Sequence, residues 1–269
     1  MSNAEYHSKK DYESSSSIRD ALLNPKKYIF RKTHETVPTK SMEEGTAVHS
    51  YFLENDQFKK NYVFKPKAFN GRTKEGKEWM QEHGHLNILS AEWEENLIQM
   101  NHNFLNSPAK FIYDKEGLAE LSYFWEDLYK IKGKCRPDWL SSDGHTVVDL
   151  KTTKDASPKS FQRSISEFGY HIQAAWYLRG LRKLDIPAKE FIFIAIEKTP
   201  PYCIGVYRAD EDMIVAGMSE VDKSLEVLKM CQETKLYPDY TPTIQDISLP
   251  PWMTNKKVTP QNYQEIELY

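Results

Sequence analysis

The sequence predicts an α/β protein, a mixed central sheet flanked by helices with a helical part at the N-terminus. Three observations carry this expectation. Helical patterns fill the first hundred or so residues, strand-like alternation takes over around residues 119–153, and helical stretches then alternate with buried-strand runs to residue 231. At 269 residues the chain fits one large domain with a substantial core, and no internal repeat is visible. The domain is expected over residues 1–240, followed by an irregular tail over 241–269.

Ser14 to Ser17 can cap a helix through Ile18, Ala21 and Leu22 that stops near Asn24-Pro25. Tyr28, Phe30 and Lys32 continue into an extended or second helical stretch. Ser41 to Phe52 reads as a helix, with Ser41 as N-cap and Glu44 as its capping-box partner. Residues 55–90 are polar, contain Lys65-Pro66 and Asn70-Gly71-Arg72, and read as a mobile arm or loop. A helix starting at Ser90 passes through Trp93, Leu97, Met100 and Phe104 and ends at Ser107-Pro108. Alternation predicts strands over Ala119–Trp125 and Tyr129–Trp139. Ser157 to Leu184 is a long helix or a broken pair, and Phe191–Glu197 and Tyr202–Tyr207 are buried-strand candidates around Thr199-Pro200-Pro201. Asp210 to Cys231 is amphipathic, with Met213, Ala216, Val221, Leu225 and Leu228 on its apolar stripe.

Composition narrows the class. Charged residues make up 28% and mean hydropathy is -0.68, with no apolar run approaching the roughly 20 residues of a membrane span. The polar N-terminus lacks the apolar segment of a signal peptide. Cys135, Cys203 and Cys231 are odd in number and widely spaced, which suits a reduced, cytoplasmic protein rather than a disulfide scaffold or zinc site. Net charge is -3, but Lys130 to Arg163 holds eight basic residues against four aspartates. A locally basic rim around acidic groups suits a nucleic-acid substrate; a solvated face would have the same composition.

Residues 133–153 are the most informative. They read as two strands joined by a turn at Ser142-Asp143-Gly144, an Asp-Gly hairpin signal. The first strand carries Asp138 and the second Asp149 and Lys151. Alternation puts Asp149 and Lys151 on one side while Val148 and Leu150 enter a core. Two carboxylates and a lysine at a sheet edge suit metal-assisted phosphodiester hydrolysis, the carboxylates holding a hard divalent cation through oxygen. An aspartate after proline is otherwise an ordinary turn residue, and Asp149 and Lys151 alone could form a simple ion pair. An unpaired carboxylate inside an apolar strand would cost several kcal/mol, so Asp149 needs a partner of some kind.

These residues, with others in the expected order, carry a resemblance. Pro137-Asp138 and Asp149-Leu150-Lys151 are preceded by Gly45-Thr46-Ala47-Val48-His49 and followed by Gln173-Ala174-Ala175-Trp176-Tyr177. The opening Ser2-Asn3-Ala4-Glu5-Tyr6-His7 with its following serine run fits as well. Over residues 2–240 the chain resembles the RecB-type branch of the PD-(D/E)xK nuclease superfamily, and within it the RecE-like (exonuclease VIII type) phage and prophage exonucleases. The resemblance implies a restriction-endonuclease-like core. It implies magnesium-dependent digestion of linear double-stranded DNA ends, 5′ to 3′, with manganese as a substitute. It further implies a ring-shaped homo-oligomer, trimeric or tetrameric, and a RecT-type single-strand annealing partner in recombination. Three scattered cysteines exclude the four-cysteine iron–sulfur staple of some relatives.

Site roles follow by the same resemblance. Asp138 and Asp149 would hold metal, with Glu120 and His49 as further ligands, and Lys151 would act on the attacking water and the phosphate. Neutral imidazole suits manganese better than magnesium, and a lone histidine on an apolar helix face is often just a core residue. Glu116 and Glu126 compete with Glu120 for its role. Gln173 and Tyr177, four apart on one helical face, would line the cleft and contact DNA. Arg136, Lys154, Lys159 and Arg163 are phosphate-contact candidates by position and charge. Two readings compete: a nuclease of the same superfamily cutting single-stranded, flap or branched DNA, and a catalytically idle DNA-binding or assembly module. The intact Asp138, Asp149 and Lys151 argue against the second.

Overall fold

The computed structural model describes residues 1, 3–34, 37–241 and 243–250. From residue 251 onward the expected C-terminal tail lies outside them. Four helices open the fold: α1 (Asn3–Ser8), α2 (Ser15–Leu23), α3 (Pro25–Thr33) and α4 (Lys40–Leu53). As the serine run predicts, the Ser14 side chain caps α2 in a full capping box with Ser17. The N-cap expected at Ser41 sits instead at Thr39, whose hydroxyl accepts from the Met42 N–H. Ser41 and Glu44 are occupied elsewhere, both accepting from Lys198 Nζ at 2.9 Å.

The mobile arm expected over 55–90 is an ordered unit: α5 (Asn55–Asn61), β1 (Tyr62–Phe64), α6 (Lys74–His83) and β2 (Asn87–Leu89). β1 and β2 pair in parallel, Tyr62 opposite Asn87. The buried Phe58 ring, 4.7 Å from Tyr62 and 5.2 Å from Tyr51, anchors it. Three-residue strands paired across 25 positions leave no periodicity to read, and this hid the unit. α7 (Ala91–Leu105) follows as predicted, then a 3₁₀ turn (Pro108–Lys110) and α8 (Phe111–Asp114).

The two strands expected between 119 and 139 are four: β3 (Gly117–Ala119), β4 (Tyr123–Glu126), β5 (Lys132–Cys135) and β6 (Trp139–Ser141). β4 and β5 form a separate antiparallel ribbon around a 3₁₀ turn, while β3 and β6 pair with each other in the main sheet. Pro137 separates β5 from β6, because a residue without an N–H interrupts a ladder. The predicted hairpin is present: Gly144 adopts φ +73 between β6 and β7 (Thr146–Thr153), and the Ser141 hydroxyl donates to Asp143 Oδ1 at 2.5 Å. The long helical stretch is broken, α9 (Pro158–Phe168) ending at left-handed Gly169 before α10 (Tyr170–Lys183). β8 (Glu190–Glu197), β9 (Ile204–Arg208) and α11 (Glu211–Thr234) complete the fold.

The central sheet runs β3-β6-β7-β8-β9, with β7 and β8 parallel and the other pairs antiparallel. Both faces of β7 and β8 are covered, as is usual where strands pair in parallel. Val147, Phe191, Phe193 and Ala195 face a core built with α2, α10 and α11. Val148, Leu150, Ile192, Ile194 and Ile196 face a second core built with α4 and α7. Among the described residues, no helix is long and apolar enough to cross a membrane.

Candidate active site

The site forms where the sheet opens. β6 and β7 pair only as far as Trp139 opposite Val148, while β7 runs on to Thr153. One step further in the same register, Asp138 stands opposite Asp149. With the ladder ended, the Asp138 side chain replaces the missing strand: its Oδ2 accepts the Leu150 N–H at 2.5 Å. Asp138, expected on the first strand, thus lies in the bend just before β6 and meets Asp149 on β7, where both neighbours, Val148 and Leu150, are core.

Other elements fill in the site. Ala47, Val48 and Phe52 bury one face of α4 and leave His49 at its edge, Nδ1 3.4 Å from Asp138 Oδ2. Glu120 directly follows β3, and its N–H donates to the Asp138 carbonyl at 3.2 Å. Its φ of +54 lies in the left-handed region, which costs a non-glycine residue about 1–2 kcal/mol. Strain of this kind collects at functional sites. Ligand atoms of His49, Glu120 and Asp138 all lie within 4.8 Å of one another.

Asp149, 2% exposed, faces α10. Its Oδ1 accepts from Gln173 Nε2 at 2.6 Å, and Lys151 Nζ donates back to Gln173 Oε1 at 2.8 Å. Lys151 Nζ also lies 4.6 Å from the centre of the Tyr170 ring. Asp149 Oδ2 forms an ion pair with that ammonium at 2.6 Å.

The electrostatics follow from the crowding. Burial would raise Asp138, but the charge and hydrogen bond of His49, then Lys151, hold it below its ordinary value. Burial works against charged His49, and Asp138 followed by Asp149 reverses this and raises it to about 9. Burial pushes Asp149 up and Lys151 pulls it back, leaving it at about 6 with Asp138 adding to the rise. Glu120, raised first by burial and then by Asp138, reaches about 8. Burial opposes charge on Lys151 as well, but Asp149 and Asp138 outweigh it and raise its pKa. Three carboxyls thus crowd one site against His49, Lys151 and Arg136, and burial and mutual repulsion still raise two of them. That crowding and the oxygen-rich donor set with His49 together fit a divalent cation.

A family model described as "PDDEXK-like domain of unknown function (DUF3799)" matches residues 14–249. The chain belongs to this family. The superfamily resemblance read from Pro137-Asp138 and Asp149-Leu150-Lys151 is thereby borne out. In fold the chain is similar to a crystal structure from Eubacterium rectale described as "Putative exonuclease", with 17% identity and a TM-score of 0.63, covering 96% of this chain and 99% of that one. A phage related exonuclease from Haemophilus somnus 129PT is more distant, with 10% identity and a TM-score of 0.36 over 84% of this chain and 96% of its own. So is an alkaline exonuclease from Laribacter hongkongensis, with 11% identity and a TM-score of 0.34 over 87% and 96%. No curated protein matches the sequence.

Within this PDDEXK-like frame the expected DNA-contact residues separate. Gln173 lies inside the site, bridging Asp149 and Lys151. Tyr177 is 8% exposed and packs in the α10 core, 6.0 Å from Phe191, with its pKa raised by burial first and then by neighbours that include Asp149 and Asp138. Arg136 borders the site but is already engaged, by Ser122 Oγ at 3.0 Å, the Met1 carbonyl at 2.7 Å and Glu120 at 3.9 Å. Lys154, Lys159 and Arg163 are exposed, with no ion pair among the described residues. The basic rim is thinner than its composition promised, since Lys134 is buried on the Tyr6 and Lys9 carbonyls and Lys132 pairs with Asp11. Sequence reasoning missed Tyr170. Its signal was its place three residues before Gln173, close to one helical turn, which aims both at one neighbour.

Proposed function

We propose that the protein is a metal-dependent exodeoxyribonuclease that hydrolyses phosphodiester bonds from the ends of linear double-stranded DNA, 5′ to 3′, leaving 3′ single strands. The observation that carries the nuclease reading is the convergence of His49, Glu120 and Asp138 beside the Asp149–Lys151–Gln173 network. Duplex-end specificity and polarity rest on the RecE-like resemblance. So do a homo-oligomeric ring and a RecT-type annealing partner in phage or prophage recombination.

Asp138, Asp149, Glu120 and His49 would hold the cation, with magnesium favoured by the carboxylates and manganese tolerated by the imidazole. When bound, such an ion supplies Lewis acidity to the phosphoryl oxygen and a lowered pKa to the attacking water. Lys151 contributes charge. Its raised pKa keeps it protonated at neutral pH, so it stabilises negative charge developing on the phosphate and does not take a proton. Gln173 fixes Lys151 and Asp149 relative to each other. Lys154, Lys159 and Arg163 offer free cations to the DNA backbone.

The test is linear duplex labelled at either the 5′ or the 3′ end, incubated with magnesium and wild type or Lys151→Ala. Early release of the 5′ label by wild type alone is expected. Early release of the 3′ label would overturn the polarity, and intact duplex with wild type would overturn the activity on duplex ends.

A further inference from the structure

A cavity of about 440 Å³ opens directly off the acidic cluster, with His49, Glu120 and Arg136 in its lining. Its other wall belongs to the 55–90 unit: Gln57 and Asn61 from α5, Tyr62 from β1 and Asn87 from β2. This wall is built. Phe58 pins α5 in the core, and Gln57 and Asn61, four residues apart, share one helical face. The parallel register sets Asn87 beside Tyr62, and Asn87 Nδ2 donates to the Asn61 carbonyl at 3.2 Å. Tyr62 lies nearly parallel to Phe58, an interplanar angle of 11°, which fixes its ring at the wall.

The chemistry of the wall differs from that of the cluster it faces. None of these four residues is charged, while Glu54, at the N-cap of α5, also lines the cavity. The side-chain amides of Gln57 and Asn61 have no hydrogen-bond partner among the described residues. A carboxamide presents a donor and an acceptor side by side, the pattern that matches a nucleobase edge, and Asn and Gln pair bidentately with adenine. The volume lies low in the roughly 300–1,000 Å³ range of small-molecule pockets, enough for one nucleoside. A phosphate at the cluster would carry its own nucleoside into this space.

We propose that Gln57 and Asn61, flanked by Tyr62 and Asn87, form a nucleobase subsite that holds the base next to the phosphate at the cluster, adenine best. The placement of that phosphate rests on the nuclease reading above. The experiment is calorimetric binding of dAMP and of deoxyribose 5-phosphate, each with manganese, to wild type and to the double variant Gln57→Ala/Asn61→Ala. Both side chains are exposed, so the variant should melt with wild type. Wild type is expected to bind dAMP at least tenfold tighter than the base-free sugar phosphate, and the double variant to reduce that to within about twofold. Equal affinities in wild type, no binding of either compound, or a preference that survives in the variant would overturn the subsite. Duplex hydrolysis by wild type against Lys151→Ala, run in parallel, judges the nuclease reading separately. An enzyme that cuts DNA yet binds the two compounds equally keeps that reading and loses the subsite.

Discussion

Lys151 is held by a carboxylate, an amide and an aromatic face, and the three can be told apart by substitution. Lys151→Ala should lower kcat by about 10²–10³, the usual cost of losing one group that stabilises transition-state charge. A cation–π contact is worth about 0.5–2 kcal/mol. Tyr170→Phe, which keeps the ring, should therefore stay near wild type, while Tyr170→Leu should lose roughly two- to thirtyfold in kcat with little change in KM. Equal losses in both variants would mean that the hydroxyl matters and the ring does not. The crowded carboxyls make a second prediction. Below about 6, 8 and 9 respectively, Asp149, Glu120 and His49 carry protons in the metal-free protein, and each ligand must give its proton up on binding. Manganese affinity should thus rise with pH from 6 to 9, with protons released, as read by calorimetry in two buffers of unequal ionisation enthalpy. A flat profile would contradict the assignment of these groups as ligands. Glu120→Gly should raise the melting temperature of the metal-free protein, by removing both left-handed strain and a buried acid, while weakening metal binding.

The elements show why part of this was legible from sequence and part was not. The β6–β7 hairpin announces itself through Asp143-Gly144 and the alternation of Val148 and Leu150, and with it came Asp138, Asp149 and Lys151. Helices α2, α7 and α11 follow the same logic of cap and stripe. What escaped was set by partners far away in sequence. The split of β5 from β6 depends on a change of pairing partner, the depth of Tyr177 depends on how α10 sits on β8, and the 55–90 unit depends on a parallel pairing no local window contains. That unit hangs on one ring. Phe58→Ala should cost about 3–5 kcal/mol by loss of buried area and residual cavity. It should also loosen α5, giving faster amide exchange over residues 55–64 than in the central sheet; protection equal to wild type would show that another contact holds the wall.

The ribbon of β4 and β5 is tied to the main body through Asp127, whose side chain is fully buried. It accepts from Arg179 Nη2 at 2.8 Å, the Leu128 N–H at 2.7 Å and Trp125 Nε1 at 3.1 Å. Burial alone would raise this carboxyl, and the Arg179 hydrogen bond and charge overcome it, holding it below its ordinary value of 3.8. A carboxyl with a depressed folded-state pKa contributes its stability above the unfolded value and loses it as pH falls through the folded one. The chain should therefore lose stability progressively below about pH 4, and Asp127→Ala should remove about 1–3 kcal/mol at neutral pH, since Trp125 Nε1 and the Leu128 N–H lose their acceptor while Arg179 keeps Asp222 at 2.6 Å. Urea unfolding at pH 7 and pH 3 checks both, and an Asp127→Ala protein with the same acid sensitivity as wild type would place that sensitivity elsewhere. Ribbon, sheet and 55–90 unit all border one opening, at the point where β6 leaves β7. The measurement that bears most directly on that opening is loss of linear duplex DNA with magnesium and with EDTA, for wild type and Asp149→Asn side by side. Wild type should degrade the duplex only with magnesium, and Asp149→Asn should be slower by at least about a hundredfold in kcat. Equal rates for the two proteins, or wild-type cutting that persists in EDTA, would show that the cluster of Asp138, Asp149, Glu120 and His49 is not the centre that cuts.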